Sequence, residues 1–252
     1  MLACAGADTS ELHGAGSTVL RTRTAILIGA LLCLAALTIF AMGRFTDIDL
    51  YLADALYDRA AATFPWRDAW LTDTFSHRIV KAALTVLGAL FIAAAIGDAT
   101  WPQVLHGSPM DRLRLRVIAW SATLVPTVIS LLKQNSDAHC PWDLARYGGT
   151  EPYARLFETL PPGIVPGHCL PAGHASSALW LISLAVLWLP GQQGKAWRAA
   201  GSAVALGLAV GWMQQMRGAH FLTHTLWSVC IACGIVLALV MLLQSLARRE
   251  HG

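Results

Sequence analysis

Three stretches of the sequence carry residue types that can hold an anion and move a proton. An apolar run ends in Lys133; the turn Leu170-Pro171-Ala172-Gly173-His174 closes a polar loop and opens an apolar helix; and a third stretch reads Arg217-Gly218-Ala219-His220-Phe221-Leu222-Thr223-His224. Gly173 lets backbone approach a bound group closely, and the unpaired N–H groups of Ala172, Gly173 and their neighbours at a helix start favour an anion, so a phosphate can sit on this turn. His174 would face that anion with an imidazole suited to proton transfer near neutral pH. Lys133 and Arg217 add cationic donors, arginine as a bidentate fork. His174 and one of the later histidines can divide acid and nucleophile roles, a phosphoryl group passing first to imidazole and then to water while the cations stabilise its oxygens.

Each of these residues also has an ordinary structural use. Pro-Ala-Gly-His can be a helix cap, Lys133 a snorkelling side chain and Arg217 an interfacial anchor. His220 and His224, four residues apart, can bind metal or haem or join two helices, but no nearby Asp, Glu or Cys completes an obvious ligand set, so neither metal nor cofactor is expected.

The elements that must position these residues are apolar. Of 252 residues, 56% are hydrophobic and 13% charged, about half the charge of a soluble domain, and the apolar residues come in long blocks. One polytopic domain is expected over 25–246, between a cytoplasmic tail at 1–24 and a second at 247–252. The blocks predict six spanning helices: Ala25–Met42, Ile79–Gly97, Val117–Leu132 with Pro126 inside it, Gly173–Leu189, Ala199–Met216 and Phe221–Leu246. The segment Gly43–His77, with Trp66 and Trp70, reads as a long surface loop, and Lys81 as a residue that snorkels. The polar insertion Lys133–Leu170 is the other long loop.

No charged n-region leads into a short apolar run, so no cleaved signal peptide is expected, and Cys4 lacks the apolar run of a lipoprotein. The formal charge of +3 is spread along the loops, which argues against a nucleic-acid partner. Arg21, Arg23, the Arg112–Arg116 cluster, Lys195, Arg198, Arg248 and Arg249 fall on the side of the termini. By the excess of positive charge in short cytoplasmic segments that side is cytoplasmic, which puts Lys133, His174 and Arg217 at the extracytoplasmic face of a bacterial-type inner membrane.

Lys133 with Pro141, the Pro171–His174 turn and the Arg217–His224 stretch resemble the three signature motifs of the type 2 phosphatidic acid phosphatase (PAP2) superfamily, membrane lipid phosphatases related to vanadium haloperoxidases. The likeness covers Lys133 to about Ser228. It implies an all-α, six-transmembrane-helix bundle of the haloperoxidase-like kind, and metal-independent hydrolysis of a phosphomonoester or diphosphate through a phosphohistidine. The family pattern is Lys-x6-Arg-Pro, Pro-Ser-Gly-His and Ser-Arg-x5-His-x3-Asp. Here Cys140 stands at the first Arg and Ala172 at the Ser. Aligning His220 with the nucleophile puts Gln214 at the second Arg and His224 at the Asp, with Arg217 as a substitute cation one turn later. The other alignment keeps Arg217 as the motif arginine and makes His224 the nucleophile, with one extra residue in the spacing. His220 is the preferred nucleophile, oriented by His224, with Asp143 as a further source of negative charge.

Cys140 and Cys169 fall in one external loop, where an oxidising exterior permits a disulfide. The resulting expectation is a lipid phosphatase acting on a lipid phosphate or diphosphate among membrane lipids. Lys133, Arg217, Gly173 and Ala172 hold the phosphate, His220 attacks and His174 protonates the leaving oxygen. A lipid-to-lipid phosphotransferase using the same site, a non-catalytic lipid-phosphate binder or transporter, and a haem or metal membrane protein are the competing readings.

Overall fold

Between Arg23 and Arg44 no charged residue interrupts Thr22–Phe45, and this run forms helix α1. It buries little more than Ala25, Ile39 and Gly43; Ile26, Leu31, Leu34 and Leu37 stand exposed, as side chains do when the solvent is lipid. The structure is a computed structural model and describes residues 18–102 and 107–250. Most of the expected N-terminal tail, including Cys4 and the segment read for a signal peptide, lies outside the described residues, as does the end of the C-terminal tail.

Helix α2 is short, Ile48–Leu56. Helix α3 spans Leu71–Thr100, its first ten residues, Leu71–Val80, wound with π-type bonding in which Phe75 N–H donates to Trp70 O at 2.8 Å. Helix α4, Pro109–Gln134, starts on a reciprocal cap between Ser108 and Asp111 with Pro109 in its first turn, a strong start signal. Helix α5, Gly173–Trp188, is α-helical to Leu179 and tightens to a 3₁₀ form from Trp180. Helices α6, Gln193–Met216, and α7, Leu222–Glu250, complete the order. Among the described residues β-structure is limited to isolated bridges.

Val117, Ile118, Val125 and Ile129 of α4 pack with Leu179, Trp180 and Val186 of α5 and Ala232, Val236 and Val240 of α7 to form the core. Helix α4 is therefore the central post, while α1 and α3 lie outside it. A second, smaller cluster of Ala53, Phe64, Leu144, Tyr147 and Phe221 caps one end of the bundle. There the two long polar segments are tied together: Arg146 pairs with Asp54, Tyr147 Oη donates to Asp54 Oδ1 at 3.0 Å, and Arg155 pairs with Asp47 at 2.6 Å. At the other end Leu20 and Gln244 exchange hydrogen bonds of 3.1 and 3.0 Å, and Arg114 donates to Leu189 O. The start of α1 and the end of α7 thus share one end, and the motif-bearing segments occupy the opposite one.

Length and composition support four of the six expected spans. Among the described residues four helices are long and apolar enough to cross a membrane: Thr22–Phe45, Leu71–Thr100, Pro109–Gln134 and Leu222–Arg249. Helix α5 is apolar but short, and α6 is long enough at 24 residues but diluted by Gly, Gln and Lys. The second helix begins at Leu71 rather than Ile79, so the expected loop Gly43–His77 ends in helix. Polar residues at a membrane surface do not stop a helix, because their side chains stay hydrated while the backbone bonds itself.

Candidate functional site

The Pro171–His174 turn is fastened to α7 by its backbone. Ala172 N–H donates to His224 O at 3.1 Å, and Ser228 Oγ donates to Ala172 O at 3.0 Å. Cys169, just before the turn, forms a disulfide with Cys140, the Cα atoms 5.4 Å apart. The short 3₁₀ turn that follows, Pro141–Asp143, is held in its turn by Trp142 N–H donating to Gly218 O at 3.0 Å. Gly218 has φ +73°, and a Cβ there would sit 2.4 Å from the Phe64 ring; only glycine fits this left-handed, crowded position. One web of bonds therefore joins the Lys133 segment, the His174 turn and the α6–α7 turn.

The web brings the imidazoles together. The rings of His174 and His220 are 6.1 Å apart by centroid, those of His220 and His224 5.9 Å. His220 is 2% exposed and sets Nδ1 at 3.4 Å from Cys169 Sγ, so the other ring nitrogen, Nε2, is left for chemistry. Burial holds the His220 imidazole well below its ordinary pKa, with His224, Lys133 and His174 adding to the effect and the Cys169 backbone opposing it. Burial thus favours its neutral form. A cavity of about 480 Å³ opens beside His174 between α3, α4 and α5. Lys81, Lys133, Gly173 and His174 line one end of it, and Leu84, Gly88, Ala122, Pro126 and Trp180 line the remainder together with the hydroxyls of Thr85, Ser130, Ser176 and Ser177.

Arg217 reaches the same region but is heavily engaged. Its Nε donates to Arg67 O at 2.7 Å, one terminal nitrogen to Gln214 Oε1 at 3.2 Å and the other to Asp73 Oδ1 at 2.8 Å. It fastens the start of α3 to the α6–α7 turn. Ala172 departs from its expected role as a phosphate donor: it is fully buried and its N–H is taken by His224 O. The Asp143 carboxylate accepts from Cys140 N–H at 3.3 Å, and burial pushes its pKa up. Cys140, Cys169 and His220 present donor atoms within 4.8 Å of one another, but the disulfide uses both sulfurs.

Three side chains near the site escaped the sequence reading. His77 stacks against His174 with centroids 4.1 Å apart, and Lys81 follows it by one turn. The signal was the spacing Asp73, His77, Lys81, which puts one residue per turn on a single helix face, hidden because Asp73 and His77 read as loop and Lys81 as a snorkelling side chain. Asp49 is the third. Buried at 5% exposure, it accepts from Thr223 N–H at 3.0 Å and from Thr223 Oγ1, so a carboxylate on α2 caps the start of α7. No local pattern announces a cap contributed from so far away in sequence.

The model of the PAP2 superfamily matches residues 114–248, which run from the start of α4 to the end of α7. No curated protein and no solved structure matches the chain.

Proposed function

The chain belongs to the PAP2 superfamily, whose members are phosphatases, and from that premise we propose that it hydrolyses a lipid phosphomonoester or diphosphate through a phosphohistidine. The observation that carries this reading is the convergence of His174, His220, His224 and Lys133 from three separate segments onto one end of the bundle, where His174 and Lys133 line a cavity that is cationic at one end and mostly apolar along the rest. An amphipathic substrate matches such a cavity: the phosphate sits at the lysines and the Gly173 backbone, and the chain runs between α3 and α4.

In the first step neutral His220 donates its Nε2 lone pair to phosphorus, and the bond from phosphorus to the leaving oxygen breaks. His174 gives that oxygen a proton. In the second step His174 takes a proton from water as the water oxygen attacks phosphorus, the N–P bond breaks, and orthophosphate leaves. Lys133 neutralises the oxygens in both steps. His224 stands where the family carries a carboxylate and packs beside His220 without a fixed negative charge. Metal independence follows from this scheme, in which every proton and charge is handled by side chains. The site faces the extracytoplasmic side if the termini are cytoplasmic.

The test is a phosphate-release panel in detergent across phosphatidic acid, a polyprenyl diphosphate, phosphatidylglycerol phosphate and a lipid A phosphate, with chelator present. Release from at least one substrate, lost in His220→Ala and in His174→Ala, is expected. Label that appears in a second lipid instead of in free phosphate would make the enzyme a phosphotransferase, and binding without turnover would make it a lipid-phosphate binder.

A further inference from the structure

We propose that Lys81 binds the substrate's phosphate together with Lys133, supplying the positive charge that Cys140, at the position of the family's first motif arginine, does not. This rests on the phosphatase reading of the same cavity.

The placement of Lys81 comes from α3. His77, four residues earlier, lies with its ring 4.1 Å from that of His174, so the polar start of α3 is laid against the Pro171–His174 turn. Lys81 then lines the same cavity as Lys133, Gly173 and His174. Lys81 is exposed, and it borders a cleft that already holds a second ammonium, that of Lys133.

The charges around the cleft do not cancel. Among the described residues no carboxylate lies within ion-pair distance of Lys81 or Lys133. Arg217, the other cation of the region, is neutralised by Asp73 at 2.8 Å and has further donors on Arg67 O and Gln214. Cys140 is uncharged in its disulfide. Two ammonium groups facing one cleft repel each other and concentrate positive potential there. A phosphate dianion relieves that repulsion and takes a charge-assisted hydrogen bond from each.

The experiment compares wild type, Lys81→Ala, Lys81→Arg and, as a control at the opposite end of the bundle, Lys195→Ala. Each is assayed for release of phosphate from the best lipid substrate and for binding of inorganic phosphate by calorimetry. Lys81→Ala is expected to raise KM and the Kd for phosphate about tenfold or more, with kcat less affected. Lys81→Arg restores most of the binding, and the control behaves as wild type. Unchanged KM and Kd in Lys81→Ala overturn the proposal and leave the phosphatase reading intact. If wild type releases no phosphate from any lipid, the phosphatase reading fails and the calorimetry decides alone. Weaker phosphate binding by Lys81→Ala then upholds the role of Lys81, and equal binding, or none by wild type, overturns it.

Discussion

Asp49 and His220 are both buried ionisable groups, and burial moves them in opposite directions: it raises the carboxyl pKa of Asp49 and lowers the imidazole pKa of His220. For Asp49 the native state favours the protonated form. The associated stability is complete below the ordinary carboxylate value and is lost as pH rises through the raised native value. Asp49→Asn keeps an acceptor for the start of α7 without a buried charge, so its melting temperature should fall less than that of wild type between about pH 4 and about pH 7. Asp49→Ala leaves the Thr223 N–H and hydroxyl unpaired and should cost about 1–3 kcal/mol at either pH, read from the same melts. For His220, a pKa well below 6.5 means that the neutral imidazole persists into mildly acidic solution, in the form the proposed attack needs. The limb of the rate profile that belongs to it should fall below the usual imidazole range, and a titration of kcat against pH checks this. Residue types and helix ends grouped His174, Lys133 and the later histidines, and the structure brings their three segments to one end of the bundle. Ala172 was misjudged because a turn's N–H points at an anion only if no carbonyl claims it first, and the His224 carbonyl does.

The elements are held in register by a few long-range ties. The Cys140–Cys169 disulfide closes a loop across a separation of 29 residues, and for a loop of that size the chain-entropy model gives about 3–4 kcal/mol of stabilisation. Replacing both cysteines by serine should lower the melting temperature accordingly and reduce kcat, since Cys169 abuts His220 Nδ1. Alkylation of the native, non-reduced protein followed by mass spectrometry should leave Cys140 and Cys169 unmodified. The Arg217–Asp73 pair ties α3 to the α6–α7 turn. Asp73→Ala strands a largely buried guanidinium and should destabilise by about 2–3 kcal/mol, whereas a double variant that also removes Arg217 should recover part of the loss. Apolar blocks located the helices well, but their ends were misplaced wherever polar residues continued a helix, as at Leu71–Val80 and in the first turns of α4. Hydropathy reports burial in lipid, not backbone hydrogen bonding, so an interfacial turn such as the one carrying His77 looks like a loop in the sequence.

At the scale of the molecule, a core built on α4, α5 and α7 is flanked by α1 and α3, whose exposed leucines and isoleucines require an apolar solvent. The two ends differ in kind. One gathers Arg114, Arg248 and the pairing of Leu20 with Gln244; the other gathers every residue assigned to chemistry. If the first end is cytoplasmic, a cysteine placed at Pro162 in a chain whose Cys4, Cys33, Cys230 and Cys233 are replaced by serine should react with a membrane-impermeant reagent on intact cells, and one at Gln192 only after permeabilisation. Labelling in the reverse pattern would turn the protein over in the membrane.

The claim that unites these scales is that His220 is transiently phosphorylated. Wild-type protein mixed briefly with substrate labelled in the transferable phosphoryl group, then quenched in base and digested, should yield label on the peptide that carries His220, with neither label nor phosphate release in His220→Ala. Label on His224 instead, or phosphate release by His220→Ala at the wild-type rate, would contradict it.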